Sequence, residues 1–293
     1  MKQEYINLYD EYTHSKDMSR REFLDRLIKI ACGTAAAMAL LPVLENNQAK
    51  AQTISGDDKR IKTKYIKYDG VSGKVRAYLA MPKDIKGTIP AVVVIHENKG
   101  LQPHIEDVAR RAALAGFIAL APDALSPMGG TPDDLDKARE MIGKLDYEKT
   151  VGDFEAAVNY LEKYKKSNGN IGCVGFCWGG AMANQLAVNA ENMKAAVAFY
   201  GSQPEAKDVG KIKGAVMLHY AGLDERINKG IPAYEKALKE NDVDYKLFIY
   251  EGVNHAFHND TNEARYDAKA AKLAWERTLD FWKEKLFDKI STK

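Results

Sequence analysis

The feature that most constrains the fold is the run IGCVGFCWGG at residues 171–180, an apolar strand-like stretch that breaks at Cys177 and passes with no linker into helix-like AMANQLA. A chain can turn from strand to helix that abruptly only where its neighbours carry no side chain, and Gly175 and Gly179 stand two residues to either side of Cys177. The pattern is a G-x-C-x-G elbow that pushes one residue out of the end of a sheet, here with a thiol where such elbows usually carry serine. The helix that follows offers backbone N–H groups and a positive dipole end, which favour a thiolate and a developing oxyanion. Taken alone, the same residues also fit a glycine-rich βα turn in which Cys177 is merely a small hydrophobe.

The rest of the chain has the rhythm of a doubly wound sheet. Two β-like runs, 64–68 and 75–81, flank the turn-rich segment 69–73 and predict an antiparallel hairpin at one edge. Strands are then expected at 91–96, 117–121, 171–176, 195–200, 215–220 and 245–250, with helices near 105–115, 132–145, 149–165, 231–240 and 262–286. These apolar runs lack period-2 alternation, so their strands are covered on both faces, as in a parallel sheet. The aromatics of the last helix, among them Trp275, Phe281 and Trp282, recur near helical spacing and read as core. Eight strands with the elbow after the fifth match an α/β-hydrolase fold: a mostly parallel eight-stranded sheet, helices on both faces and no large lid domain.

At 293 residues and 45% hydrophobic content the chain can bury one large core. A net charge of +2, with 43 basic against 41 acidic residues and no basic stripe, gives no case for nucleic acid. The first fifty residues differ from the rest. SRREFL at 19–24 is a twin-arginine pattern, followed by an apolar Ala-rich run near 27–44 and by A-K-A at 49–51. This order predicts a signal peptide over 1–51, a hydrolase domain over 52–293, passage through the twin-arginine export machinery and a periplasmic or otherwise exported protein. Lys29, Gly33 and Pro42 argue against a stable membrane anchor, which needs about 20 apolar residues. Cys173 and Cys177 are expected to stay free thiols, because four strand residues at about 3.3 Å each exceed the reach of a disulfide.

In such sheets reactive groups gather at the carboxyl ends of strands. Asp224 follows the strand at 215–220 and His255 follows the strand at 245–250, giving the chain order Cys177, Asp224, His255 that this fold class uses. His255 would take the thiol proton and Asp224 would fix its tautomer. His258 and Glu225 are their nearest competitors; His219 reads as buried and His96 as a strand-end residue. The loop after the strand at 91–96 is placed to supply an oxyanion-hole N–H, so the amides of Asn98 and Trp178 are the candidate pair. Glu97, in the same loop, either exchanges a proton with the thiol or pairs with Lys99. No H-x-x-x-H or C-x-x-C spacing occurs, so neither a metal nor another cofactor is expected.

With those residues in place, the chain resembles the dienelactone hydrolase family, through H-E-N-K-G at 96–100, A-P-D at 121–123, G-F-C-W-G-G at 175–180, F-Y-G at 199–201 and the Asp224 and His255 loops. The resemblance implies a Cys-His-Asp triad that opens a small ester or enol lactone through an acyl thioester, as in a carboxymethylenebutenolidase. It also implies that Glu97 contacts the resting thiol and that Tyr200 lies in the substrate pocket. The family's dienelactone-cleaving members grip a substrate carboxylate with arginines from two loops, and here neither 122–130 nor 255–260 contains one; Arg226 or Arg265 would have to compensate. Two other functions are compatible with the same thiol: redox sensing through a sulfenic acid, and ligand binding on a hydrolase scaffold.

Overall fold

The computed structural model describes residues 1–15, 17–47 and 53–287; the expected cleavage site at 49–51 lies outside them. The chain opens with three helices, α1 (Gln3–His14), α2 (Arg20–Ile30) and α3 (Thr34–Leu44). The body follows as β1 (Ile61–Gly70), β2 (Gly73–Pro82), β3 (Ile89–Ile95), α4 (Pro103–Leu114), β4 (Ile118–Pro122), α5 (Leu135–Ile142), α6 (Tyr147–Glu162) and β5 (Ser167–Phe176). Its second half runs α7 (Trp178–Asn189), β6 (Met193–Phe199), β7 (Ala215–Ala221), α8 (Glu225–Asn228), α9 (Ile231–Glu240), β8 (Tyr245–Tyr250) and α10 (Ala268–Leu286).

One eight-stranded sheet carries the order β1-β2-β4-β3-β5-β6-β7-β8. β2 is antiparallel to both β1 and β4, and every other neighbouring pair is parallel. The hairpin closes more tightly than its turn-rich sequence suggests: Gly70 pairs with Gly73, leaving only Val71 and Ser72 in the loop. Side chains alternate between the two faces. Val93 and Cys173 point into a core shared with α6, α7 and α9, whereas Val92, Val94 and Val174 point into one shared with α4 and α10. This is the α/β-hydrolase fold.

Two helix starts fall later than the apolar periodicity alone predicts. Asp134 caps α5 by accepting from the N–H groups of Asp136 and Lys137. Residues 258–266 stay out of α10 because their own side chains compete for the backbone. Asn259 Oδ1 accepts from the Thr261 N–H at 3.0 Å and Asn262 Oδ1 from the Arg265 N–H at 3.1 Å, so the helix begins only after the Asp267 cap.

The N-terminal helices have a small core of their own, built on Tyr9, Tyr12, Phe23, Leu27, Leu41 and Leu44. Phe23 stacks on Tyr12 with ring centroids 4.6 Å apart. Among the described residues no single helix is long and apolar enough to cross a membrane; α2 and α3 meet that measure only as a pair, bent by 118°. The twin arginines lie at the start of α2, where Arg20 bridges Glu45 and Asp136, both at 2.8 Å.

Candidate active site

β5 ends at Phe176 and α7 begins at Trp178, so Cys177 alone makes the turn, at φ 56° and ψ −115°. The glycines around it are required by main-chain contact. A Cβ on Gly175 would strike the Gly179 carbonyl, and one on Gly179 would strike the carbonyls of Ile95 and His96. Tyr200 and Ala256 also sit at positive φ, 39° and 64°, so three constrained residues converge from the ends of β5, β6 and β8.

The loops after β7 and β8 bring Asp224 and His255 together as the strand-end argument requires. His255 Nδ1 lies 2.5 Å from Asp224 Oδ2, both side chains are buried, and Nε2 of the imidazole is buried with no hydrogen-bond partner. Burial opposes the charge on Asp224, but the facing His255 keeps its carboxyl below the usual carboxylate range. The Cys177 sulfur, a ring nitrogen of His255 and a third group, a ring nitrogen of His14, lie within 4.8 Å of one another. His14 Nε2 is 3.1 Å from the sulfur, and the His14 and His255 rings meet edge-on at 4.6 Å.

His14 arrives on α1, which lies across the mouth of the site. Asn98 Nδ2 donates to the Thr13 carbonyl at 2.8 Å, Lys99 Nζ donates to Tyr9 Oη at 3.1 Å, and the buried Arg265 pairs with Asp10 at 3.2 Å. Asp10 in turn holds His14: the imidazole Nδ1 is 2.8 Å from the Asp10 carbonyl and 3.3 Å from its carboxylate. Burial would lower the pKa of His14, but the Cys177 sulfur and Asp10 raise it above the usual imidazole value. A sulfur and two imidazole nitrogens are also donors that a zinc-type ion accepts, a convergence that sequence spacing does not reveal.

The remaining candidates sort by position. Trp178 is the first residue of α7, so its N–H has no intrahelical partner, and Asn98 and Tyr200 line the same cleft. Tyr200 packs 4.9 Å from the His255 ring, and its buried hydroxyl has no partner. Glu97 pairs neither with Lys99 nor with the thiol: Asn259 Nδ2 donates to Oε2 at 2.6 Å, while Oε1 is buried and unpartnered. The group at hydrogen-bond distance from the sulfur is His14 instead. His258 is buried between Phe176 and His104, and His219 is fixed between Tyr250 Oη and Thr278 Oγ1. His96 is tied to the Glu97 carbonyl and stacked on Trp178, and Glu225 heads α8 as an exposed residue. Burial pushes the Cys173 thiol up to about 12, and all three cysteines are free.

A cleft of about 680 Å³ opens beside the sulfur, lined among others by Ser15, Met18, Arg139, Trp178, Tyr200 and Arg226. About a third of its lining residues, from Tyr12 to Arg20, belong to the stretch that the sequence pattern assigned to a leader. The Asp10–His14 pair, an i,i+4 acid and imidazole on one helix, was the available signal.

The dienelactone hydrolase family model matches residues 75–286. The chain belongs to the dienelactone hydrolase family. Among curated relatives, a "Putative carboxymethylenebutenolidase" of Saccharolobus solfataricus is 32% identical over 254 residues, covering 74% of this chain and 97% of the relative. A "Probable 2-oxo-3-(5-oxofuran-2-ylidene)propanoate lactonase" of Bradyrhizobium sp is 34% identical over 226 residues, covering 72% and 90%. The solved structure named m3DLH superposes with a TM-score of 0.71 at 25% identity, covering 78% of this chain and all of its own. This family member is therefore a hydrolase of the carboxymethylenebutenolidase-like group, with its elbow and strand-end loops inside the matched region.

Proposed function

We propose that this protein hydrolyses a small carboxylic ester or lactone through an acyl thioester on Cys177, with His255 and Asp224 as the acid–base pair. The observation that carries the reading is the buried His255–Asp224 contact at 2.5 Å, in an imidazole that keeps Nε2 unpartnered and lies beside the elbow thiol. An Nδ1 proton held by a carboxylate leaves Nε2 as a proton acceptor, the tautomer that acyl transfer needs. The N–H groups of Trp178 and Asn98 would hold the oxyanion, as preorganised donors at a helix start and a strand-end loop. Tyr200 forms part of the substrate wall, and Glu97 tunes the charge beside the thiol.

The cleft suits a small acyl group, and Arg226 on its wall offers a cation at a different place from the family's carboxylate-gripping loops. Intact-mass measurement after brief exposure to a panel of activated esters and lactones tests the reading. A transient acyl adduct on the wild type, absent in Cys177→Ala, is the expected outcome; neither adduct nor product from any panel member refutes it.

The twin-arginine pattern at 19–24 and the apolar run behind it support export by the twin-arginine route to the periplasm. Fractionation tests export, and the intact mass of the exported chain reads whether it begins at Met1 or near Gln52.

A further inference from the structure

The triad reading leaves open which group holds the resting thiol, and the inference below rests on that reading. Two acid–imidazole pairs converge on one sulfur. One is His255 with Asp224, from the loops after β7 and β8. The other is His14 with Asp10, one turn apart on α1. It is His14 that stands at hydrogen-bond distance, 3.1 Å, while His255 Nε2 has no partner. With Nδ1 turned to the Asp10 carbonyl and carboxylate, the proton of neutral His14 sits on Nδ1 and Nε2 is the acceptor for the Cys177 S–H.

The contact is built into the fold. The Asn98, Lys99 and Arg265 contacts already described fix α1 over the turn and a half before His14, and the Arg139 guanidinium donates to the Tyr12 carbonyl. The charged and titratable groups around the imidazole are Asp10 on its own helix and Cys177, Glu97, Lys99, His255 and Arg265 from the body.

We propose that His14 is a second catalytic base, which takes the Cys177 proton for acylation and leaves the His255–Asp224 pair to activate water for deacylation. In the first half-reaction the thiol proton moves to His14 Nε2, the sulfur lone pair forms the S–C bond, and the carbonyl π electrons move to the oxyanion. Collapse breaks the C–O bond, and the leaving alkoxide takes the proton from His14. In the second, His255 Nε2 takes a proton from water as its oxygen attacks the thioester carbon. The C–S bond then breaks, and the thiolate recovers that proton from His255. The sum is ester plus water to acid plus alcohol, with both imidazoles returned to their starting state. Two imidazoles remove the need for one ring to swing between a sulfur and a water.

The test is pre-steady-state hydrolysis of p-nitrophenyl acetate by the full-length chain and its His14→Gln and His255→Gln variants, with intact mass to count acyl-enzyme. His14→Gln is expected to slow the burst about 100-fold, in the range of a lost general base, and added imidazole to restore part of it. His255→Gln is expected to keep the burst and accumulate acyl-enzyme. A burst in His14→Gln at or above the wild-type rate overturns the proposal, as does an exported chain that begins near Gln52 and acylates at the full-length rate. Iodoacetamide alkylation of Cys177 at pH 7 separates this from a failure of the hydrolase reading. A His14→Gln chain alkylated about 100-fold more slowly supports the base even if no ester turns over; alkylation at the wild-type rate refutes it. Asp10→Asn keeps the ring and removes its orienting carboxylate, with about a tenfold slower burst expected, and an unchanged burst counts against the pair.

Discussion

The two acid–imidazole pairs reach the same sulfur from opposite kinds of structure. Asp224 and His255 are 31 residues apart and follow adjacent parallel strands, the fully buried β7 and the edge strand β8, so their geometry is fixed by the sheet. Asp10 and His14 are four apart on a single helix, whose own core is separate from the two cores of the sheet. The first pair is as rigid as the sheet. The second is only as well placed as the contacts that dock its helix, which are largely polar: Arg265–Asp10, Tyr12–Asp136, Lys99–Tyr9 and Asn98–Thr13, with Arg20–Asp136 from α2 beside them. One pair is therefore a property of the fold, and the other of an attachment to it.

Substitutions can rank the pairs. Cys177→Ala removes the group both serve and is expected to abolish turnover, with His255→Ala losing about 10⁴-fold in kcat. Asp224→Asn, by costing His255 its tautomer, is expected to approach that loss, whereas Asp10→Asn stays near the tenfold effect given above; steady-state kinetics that reversed this order would make the helix-borne pair the principal one. Phe23→Ala leaves every reacting group in place but empties the core of the N-terminal helices. It is expected to cost that unit about 3–5 kcal/mol, read as faster amide exchange over residues 3–44 with the sheet still protected.

Acid should separate the two regions as well. Burial resists charge on both Asp10 and Asp136, yet facing His255 and hydrogen-bonded His14 hold Asp10 below the usual carboxylate value, and Tyr12 and Arg20 do the same for Asp136. A carboxyl with a depressed folded pKa adds stability that is complete above its unfolded value near 4 and is lost as the pH falls through the folded one. The docking of α1 is thus expected to weaken below about pH 4, read as faster amide exchange over α1 with the sheet still protected. The smallest effect is at Cys173, whose thiol is buried in the sheet. Cys173→Ala should leave the burst unchanged and cost about 1–2 kcal/mol in a thermal melt.

How much of this could be read from the sequence follows the same division. Cys177, Asp224 and His255 were legible because continuous apolar runs mark parallel strands, and a parallel sheet delivers its functional groups to one edge. The edge hairpin and the free thiols were also legible, from the turn-rich segment at 69–73 and from the reach of an extended strand. His14 and Asp10 stand outside that logic: they precede the twin-arginine pattern that marks 1–51 as a leader, and only their i,i+4 spacing on one helix pairs them. Glu97 was assigned a partner in either Lys99 or Cys177, and the structure gives it Asn259, a residue inside a loop whose shape depends on side-chain caps. No periodicity encodes such a loop. The late start of α10 has the same cause.

The elbow carries a last consequence, for how this site can change over generations. Its position is set by main chain pressed on main chain: Gly175 against Gly179, Gly179 against Ile95 and His96, and Gly180 against Phe199 and Gly201. None of these contacts has a side chain to trade, so even alanine is excluded. The walls of the cleft, by contrast, are side chains from α1, α5, α7 and the strand-end loops, and they can be exchanged one at a time. A saturation scan should find an island of forbidden positions under a tolerant rim, which lets descendants of this chain drift between substrates without moving the sulfur.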